Sequence, residues 1–459
     1  MNESTEYQAF SSQWQQAELG GFLVVPLKYD AEEFDFTWLE THQDRRFETF
    51  FSDDLNSAVL RSLNSAVLRH SGSCEQTNVF RRFRIPAEVI LAQISQFGSD
   101  HVFYACKQQE GLSPEASLHG RNPFTLEDAD VYVFHTQVAF LCIRLRFQRM
   151  ETLETICSVG YVRNDTVFGF RDSSGAFRCV DFDAGLLCLC RQAGMELFYN
   201  SDASVFLDSY AYTVARIRQR PRELDTLRQA TFNLHQFADL SVPVSDGSEA
   251  DINYVYALKD QQRDSYGWGY CISSQTICYL VANDRNTMDE ILGDQAENGL
   301  PLVMLALYQK YTCLRFQTLL AQPESREPAR IRALKTQLME FKAYGTIPPA
   351  NISRWHNITQ IYRHMMTENE IPDAIEKMSL SIQILADRQK ELEDQKQAEA
   401  DARETRLVNL VTIFSVLSVP SSVAELVECL CEGLPIYRAA AALSLVAMLL
   451  ILRRMYRKK

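Results

Sequence analysis

Three glutamates near the C-terminus, Glu425, Glu428 and Glu432, stand at i, i+3 and i+7, which puts their carboxylates on nearly one face of a continuous helix. Gathered in a ring of subunits, they would concentrate cations at the mouth of a pore. Upstream, Asn409, Thr412, Ser415, Ser418 and Ser422 place amide and hydroxyl groups in an otherwise apolar segment. On a helical wheel Ser415, Ser418 and Ser422 share one side, flanked by Thr412 and Glu425, and hydroxyls can replace part of an ion's hydration shell. Two alternatives stand beside the pore reading. The hydroxyls could join a helix dimer or trimer without a pore, and the glutamates could be no more than a polar loop.

Other chemistry-bearing residues are scattered. The chain holds 12 cysteines and 8 histidines. No cysteines form a C-x-x-C pair; Cys188 with Cys190, and Cys429 with Cys431, form C-x-C instead. Runs such as Phe140-Leu141-Cys142-Ile143 surround the thiol with apolar neighbours, where reduced cysteine behaves as a small hydrophobe. The histidines never stand at i,i+4, and His135 falls in a hairpin where a turn or core role suffices. Asp53-Asp54, Glu127-Asp128 and the pair Asp181 and Asp183 read as turns or helix caps before they read as metal ligands. With no Gly-rich phosphate loop, H-E-x-x-H or G-x-S-x-G, an enzyme is not expected, and metal and cofactor-binding residues stay unassigned.

Elements must carry these residues. Apolar segments from Leu407 to Val427 and from Ile436 to Leu452 predict a transmembrane helical hairpin, with an amphipathic hairpin in a helical bundle as the alternative. Arg403 and Arg406 before it and the basic tail from Arg453 to Lys459 after it predict an inner-membrane protein with both termini cytosolic. Between 373 and 406 there is no Gly or Pro, and Ile375, Met378, Ile382, Leu385 and Leu392 recur at roughly helical spacing. A long helix is expected there, associating with copies of itself through that stripe. Leu302 to Leu320 predicts a buried amphipathic helix, with a third membrane span as the lesser alternative. Phe22–Pro26, Val131–Phe134, Val138–Phe147, Val167–Phe170 and Ser274–Val281 read as strands, with a helix after the hairpin near Met150–Cys157 or Asp181–Gly194. Leu55–Arg61 recurs as Leu63–Arg69, a local insertion rather than a solenoid repeat. The fold class expected is therefore a cytosolic α/β or α+β domain at 1–295, a helical stalk at 296–406, and two transmembrane helices with a basic tail at 407–459.

The bulk composition is compatible with this plan. The chain has 459 residues, 46% of them hydrophobic, enough for two or three domains each with its own core. Its 46 Lys and Arg stand against 59 Asp and Glu, a net charge of -13 that argues against a general nucleic-acid binder. Met1 to Gln16 is polar and acidic with no signal-peptide pattern, so the bulk is expected in the cytosol.

The order of a cytosolic α/β domain, long helices, a membrane hairpin and a basic C-terminus resembles the CorA-like divalent-cation transporter family. The likeness is architectural over the whole chain. It is closest from Leu302 to Lys459, including Tyr308-Gln309-Lys310-Tyr311 with Leu314 and the run from Leu407 to Phe414. It implies a homopentamer in the lipid bilayer whose first span lines a pore for a divalent cation, here past Asn409, Thr412, Ser415, Ser418 and Ser422. Family members carry Gly-Met-Asn at the outer end of that span. This chain reads Ser421-Ser422-Val423-Ala424-Glu425-Leu426-Val427-Glu428 instead, which leaves magnesium unspecified and makes Glu425, Glu428 and Glu432 the candidates for the outer mouth. Divergent relatives serve as membrane effectors of prokaryotic antiviral, CRISPR-type systems, which implies a nucleotide-like activating ligand. The function expected is an oligomeric membrane cation channel or transporter gated by a cytosolic ligand. The antiviral effector and a non-conducting membrane-anchored scaffold are the alternatives.

Overall fold

Strands that are apolar at every position, such as the Phe22-Leu23-Val24-Val25 run, must bury both faces, and the sheet they build is covered on both sides. The structure is a computed structural model describing residues 5–30, 37–42, 80–94, 102–157, 166–199, 209–241, 255–322, 327–353 and 355–432, with 435, 439 and 446. The repeat at 55–69 and the second apolar segment at 436–452, apart from 439 and 446, lie outside the described residues.

Strand β1 (Glu18–Lys28) pairs antiparallel with β5 (Val138–Phe147) on one side and with β9 (Tyr210–Ile217) on the other. β4 (Pro123–Phe134) continues from β5 as the predicted hairpin, closed by a turn in which Gln137 takes a left-handed φ of 64°. The sheet extends past β4 through β3 (Val102–Lys107), β6 (Thr166–Arg171) and β7 (Phe177–Val180), and β2 (Phe80–Ile85) also pairs with β4. Past β9 it extends through β14 (Thr276–Ala282), which runs parallel to β9, then β13 (Trp268–Ile272) and β10 (Val255–Tyr256). With β8 (Glu196–Leu197) on β1, the sheet has 12 strands, and β11 (Lys259–Asp260) pairs with β12 (Ser265–Tyr266) in a separate ribbon. The short helices are α1 (Thr5–Ala9), α2 (Ser11–Gln15), α3 (Thr37–His42) and α5 (Pro114–Ser117).

The two-residue period of β1 divides the core. Leu23, Val25 and Leu27 enter one apolar layer with Ile90 and Leu91 of helix α4 (Ala87–Ile94), Leu153 of α6 (Met150–Cys157), Leu186 of α7 (Phe182–Gln192) and Leu227 of α8 (Leu224–His235). Phe22 and Val24 enter the other layer, against α9 (Met288–Glu297), α10 (Gly299–Ala321), α11 (Pro328–Glu340) and α12 (His356–Glu368). Helix α9 starts with a reciprocal capping box between Thr287 and Glu290. Every residue from Gly299 to Gln309 is buried, and Tyr308 stacks on Phe134 at 4.2 Å between ring centroids. The lesser alternative of a membrane span at Leu302–Leu320 gives way to this packing.

A charge cluster stitches the layers. Asp130 of β4 accepts from Arg82 and, at 3.0 Å, from Nε of Arg84, both on β2. Arg82, whose side chain is 0% exposed, also donates to the Ala296 carbonyl in the last turn of α9 and lies over the Tyr132 ring. Burial disfavours the Asp130 carboxylate, but the two guanidiniums outweigh it and hold its pKa below the ordinary value.

The first compact unit runs from Met1 to Gln383, past the boundary expected at 295, and the second from Ile384 to Lys459. Helix α13 (Ile371–Glu432) is 62 residues long. Its Met378 and Ile382, assigned from sequence to contacts between copies, are covered by the apolar layer of the first unit.

The transmembrane part of the expected fold is corrected. Among the described residues no helix is long and apolar enough to cross a membrane. From Asp387 to Arg406, α13 carries charge on every turn, and the apolar run that follows, Leu407 to Phe414, is broken by Asn409 and Thr412. A span requires about 20 predominantly apolar residues. The two C-terminal transmembrane helices and the inner-membrane location, both read from the hydropathy of 407–452, are withdrawn on this finding.

Candidate functional site

Antiparallel pairing of β3 with β4 and of β4 with β5 brings three separated stretches of chain to one end of the sheet. Cys106 and Lys107 end β3. Arg121 and Asn122 lie in the loop leading into β4, where Gly120 takes a φ of 74°, a left-handed conformation that favours glycine. Arg149 follows β5, and Glu151, Thr152 and Glu154 belong to the first turns of α6. Together they line a cavity of about 290 Å³.

The cavity is charged. Arg121 Nη1 lies 3.3 Å from Oε1 of Glu151, with the side chains 30% and 58% exposed. Lys107 and Arg149 are exposed and make no ion pair among the described residues. The lining therefore holds three cations against two carboxylates, Glu151 and Glu154. The Met150 N–H is already taken by the Asp239 carboxylate at 2.9 Å, so charge at this site comes from side chains rather than from the start of α6. Burial raises the pKa of the Cys106 thiol, and the Arg121 charge opposes that only in part. The thiol is protonated at neutral pH, which unsuits it as a nucleophile.

The cavity shares Asn122 and Arg149 with a broader groove of about 830 Å³. Gln15, Gln16 and Gln148 present amides to it, and Arg146 pairs with Asp289 along its wall. Such a groove offers donors and acceptors, and Glu18, Glu127, Arg146 and Asp289 of its lining are already ion-paired, while Arg149 makes no ion pair among the described residues. A third cavity, about 90 Å³, lies between the β4–β5 turn and α10 and α11, where Arg315 donates to Gln137 at 2.9 Å. It is too small for more than an ion or a few waters.

None of the residues assigned from sequence to a pore lines these cavities. Asn409, Glu425 and Glu428 are exposed on α13. Thr412 and Ser415 each donate at 2.7 Å to the carbonyl four residues back, Val408 and Val411. Ser418, Ser422 and Glu432 are helical, and their side chains lie outside the described residues. Asp181 is a helix cap as expected, accepting from the Ala184 N–H at 2.9 Å, and Glu127 pairs with Arg144 at 2.6 Å. Among the described residues no group of three or more His, Cys, Asp or Glu is placed to hold a metal ion. Lys107, Arg121 and Arg149 were missed from sequence because they form no motif. The available signal was a junction, Arg149 between a strand and a helix that were both legible.

No family model, curated protein or solved structure matches the chain.

Proposed function

We propose that the chain is a binding protein whose unit Met1–Gln383 receives a small phosphorylated, nucleotide-like ligand in the cavity beside α6. The observation that carries this reading is the convergence of Lys107, Arg121 and Arg149 on one cavity, two of them without an acidic partner among the described residues. Phosphate oxygens would take these cations, while the amides of Gln15, Gln16 and Gln148 in the adjoining groove suit an uncharged, hydrogen-bonding body such as a nucleoside. Binding rather than catalysis is favoured by the protonated Cys106 thiol and by the lack of a histidine in the lining.

Isothermal titration with inorganic phosphate and with nucleoside mono-, di- and triphosphates tests the reading. A hydrogen bond to a charged group contributes about 1.5–3 kcal/mol, so Lys107→Ala and Arg149→Ala should each weaken binding by about tenfold or more. Affinity should also fall as salt rises. If every phosphorylated probe binds these variants as it binds the unaltered chain, the site is elsewhere.

A further inference from the structure

Resting on the reading of this cavity as an anion site, we infer that Glu151 determines its specificity. It is an internal carboxylate that a ligand must displace from Arg121, and it restricts the site to a terminal phosphate monoester carrying two charges.

The geometry supplies each part. Glu151 Oε1 lies 3.3 Å from Arg121 Nη1 and holds that edge of the guanidinium, so a ligand that takes the same N–H must displace the carboxylate. The pair is poised to open because both side chains are partly solvent-exposed, and an ion pair in that setting is weak. The backbone beneath does not need to move: the Glu151 carbonyl is held at 2.8 Å by the Thr155 hydroxyl, which leaves the carboxylate to swing outward on its own rotamers. With Glu151 in place the lining carries one net positive charge, and with Glu151 rotated into solvent it carries two. A monoester phosphate brings two charges and three terminal oxygens, enough to meet Lys107, Arg149 and the vacated Arg121 together. A phosphodiester brings one charge and two free oxygens. It can occupy Lys107 and Arg149, but it cannot compensate for the displaced carboxylate. Glu154, one turn further along α6, has no ion-pair partner among the described residues, so its charge acts on every anion alike.

The test compares two ligands of one nucleoside on the full-length chain, adenosine 5′-monophosphate as monoester and adenosine 3′,5′-cyclic monophosphate as diester, with inorganic phosphate alongside. The unaltered chain should bind the monoester about tenfold or more tighter than the diester. Glu151→Gln keeps the size of the side chain and removes its charge, so both ligands should bind more tightly. The diester should gain more, bringing the ratio to about two- to threefold. Glu154→Gln should strengthen both ligands equally and preserve the ratio. An unchanged ratio in Glu151→Gln, or equal binding of the two ligands by the unaltered chain, overturns the role given to Glu151 while leaving an anion site in place. If neither the unaltered chain nor Glu151→Gln binds any of the three probes, the anion-site reading falls, and this inference with it.

Discussion

Asp130 shows how much a single residue can hold. The Arg82 side chain is 0% exposed and shares the Asp130 carboxylate with Arg84, so removing the acid leaves a buried guanidinium without its counter-charge. Breaking such a buried pair costs about 3–5 kcal/mol, and Asp130→Asn should lower stability in urea unfolding by about that much. Arg84→Ala, at a side chain 18% exposed, should cost less. The pKa direction fixes the pH dependence. Because the folded-state pKa of Asp130 lies below the ordinary carboxylate value, its contribution is fully present above about pH 4 and is lost as pH falls through the folded value. Acid titration of stability should therefore show a loss in the unaltered chain that is smaller in Asp130→Asn. Cys106 gives a separate residue-scale expectation. Its raised pKa and burial predict slow alkylation by iodoacetamide at pH 7, measured by mass, with the rate rising on unfolding.

Helix packing depends on a few close approaches. Helix α7 begins at the Asp181 cap and crosses α4 at Gly185, where an added Cβ would stand 2.7 Å from Cα of Ile94 and 2.9 Å from the Gln93 carbonyl oxygen. Both obstacles are backbone, which cannot rotate away. Gly185→Ala should push the helices apart and destabilise the unit by about 1–3 kcal/mol, read as a lowered melting temperature. The helix was legible in the sequence as one of two positions expected for a helix after the hairpin, Asp181–Gly194, and it is found at Phe182–Gln192, because its cap and apolar spacing are local. Its dependence on Gly185 was not, since the neighbouring helix lies about ninety residues earlier in the chain.

The whole molecule divides into the unit Met1–Gln383 and the unit beginning at Ile384. From Lys390 to Arg406 every residue of α13 is exposed, with Lys390, Lys396, Arg403 and Arg406 open to trypsin. Brief trypsin treatment should release a C-terminal piece cut within this stretch, seen by intact mass, and leave ligand binding with the larger product. Protection of the stretch would instead show α13 covered by another chain, the self-association expected from sequence. What the sequence determined by itself was local: the β4–β5 hairpin, a helix following it, and the long helix expected from Asp373 and found from Ile371, since residue period and turn chemistry act over neighbouring residues. The membrane reading rested on hydropathy taken segment by segment. Among the described residues no helix is long and apolar enough to cross a membrane, and the run Leu407 to Phe414 is interrupted by Asn409 and Thr412, whereas Leu302–Leu320 is the buried helix its sequence predicted, packed against the sheet. Only the tertiary structure decided the cavity, because Lys107, Arg121 and Arg149 become neighbours through strand pairing between distant stretches of chain, a long-range event with no signature in the spacing of the three residues.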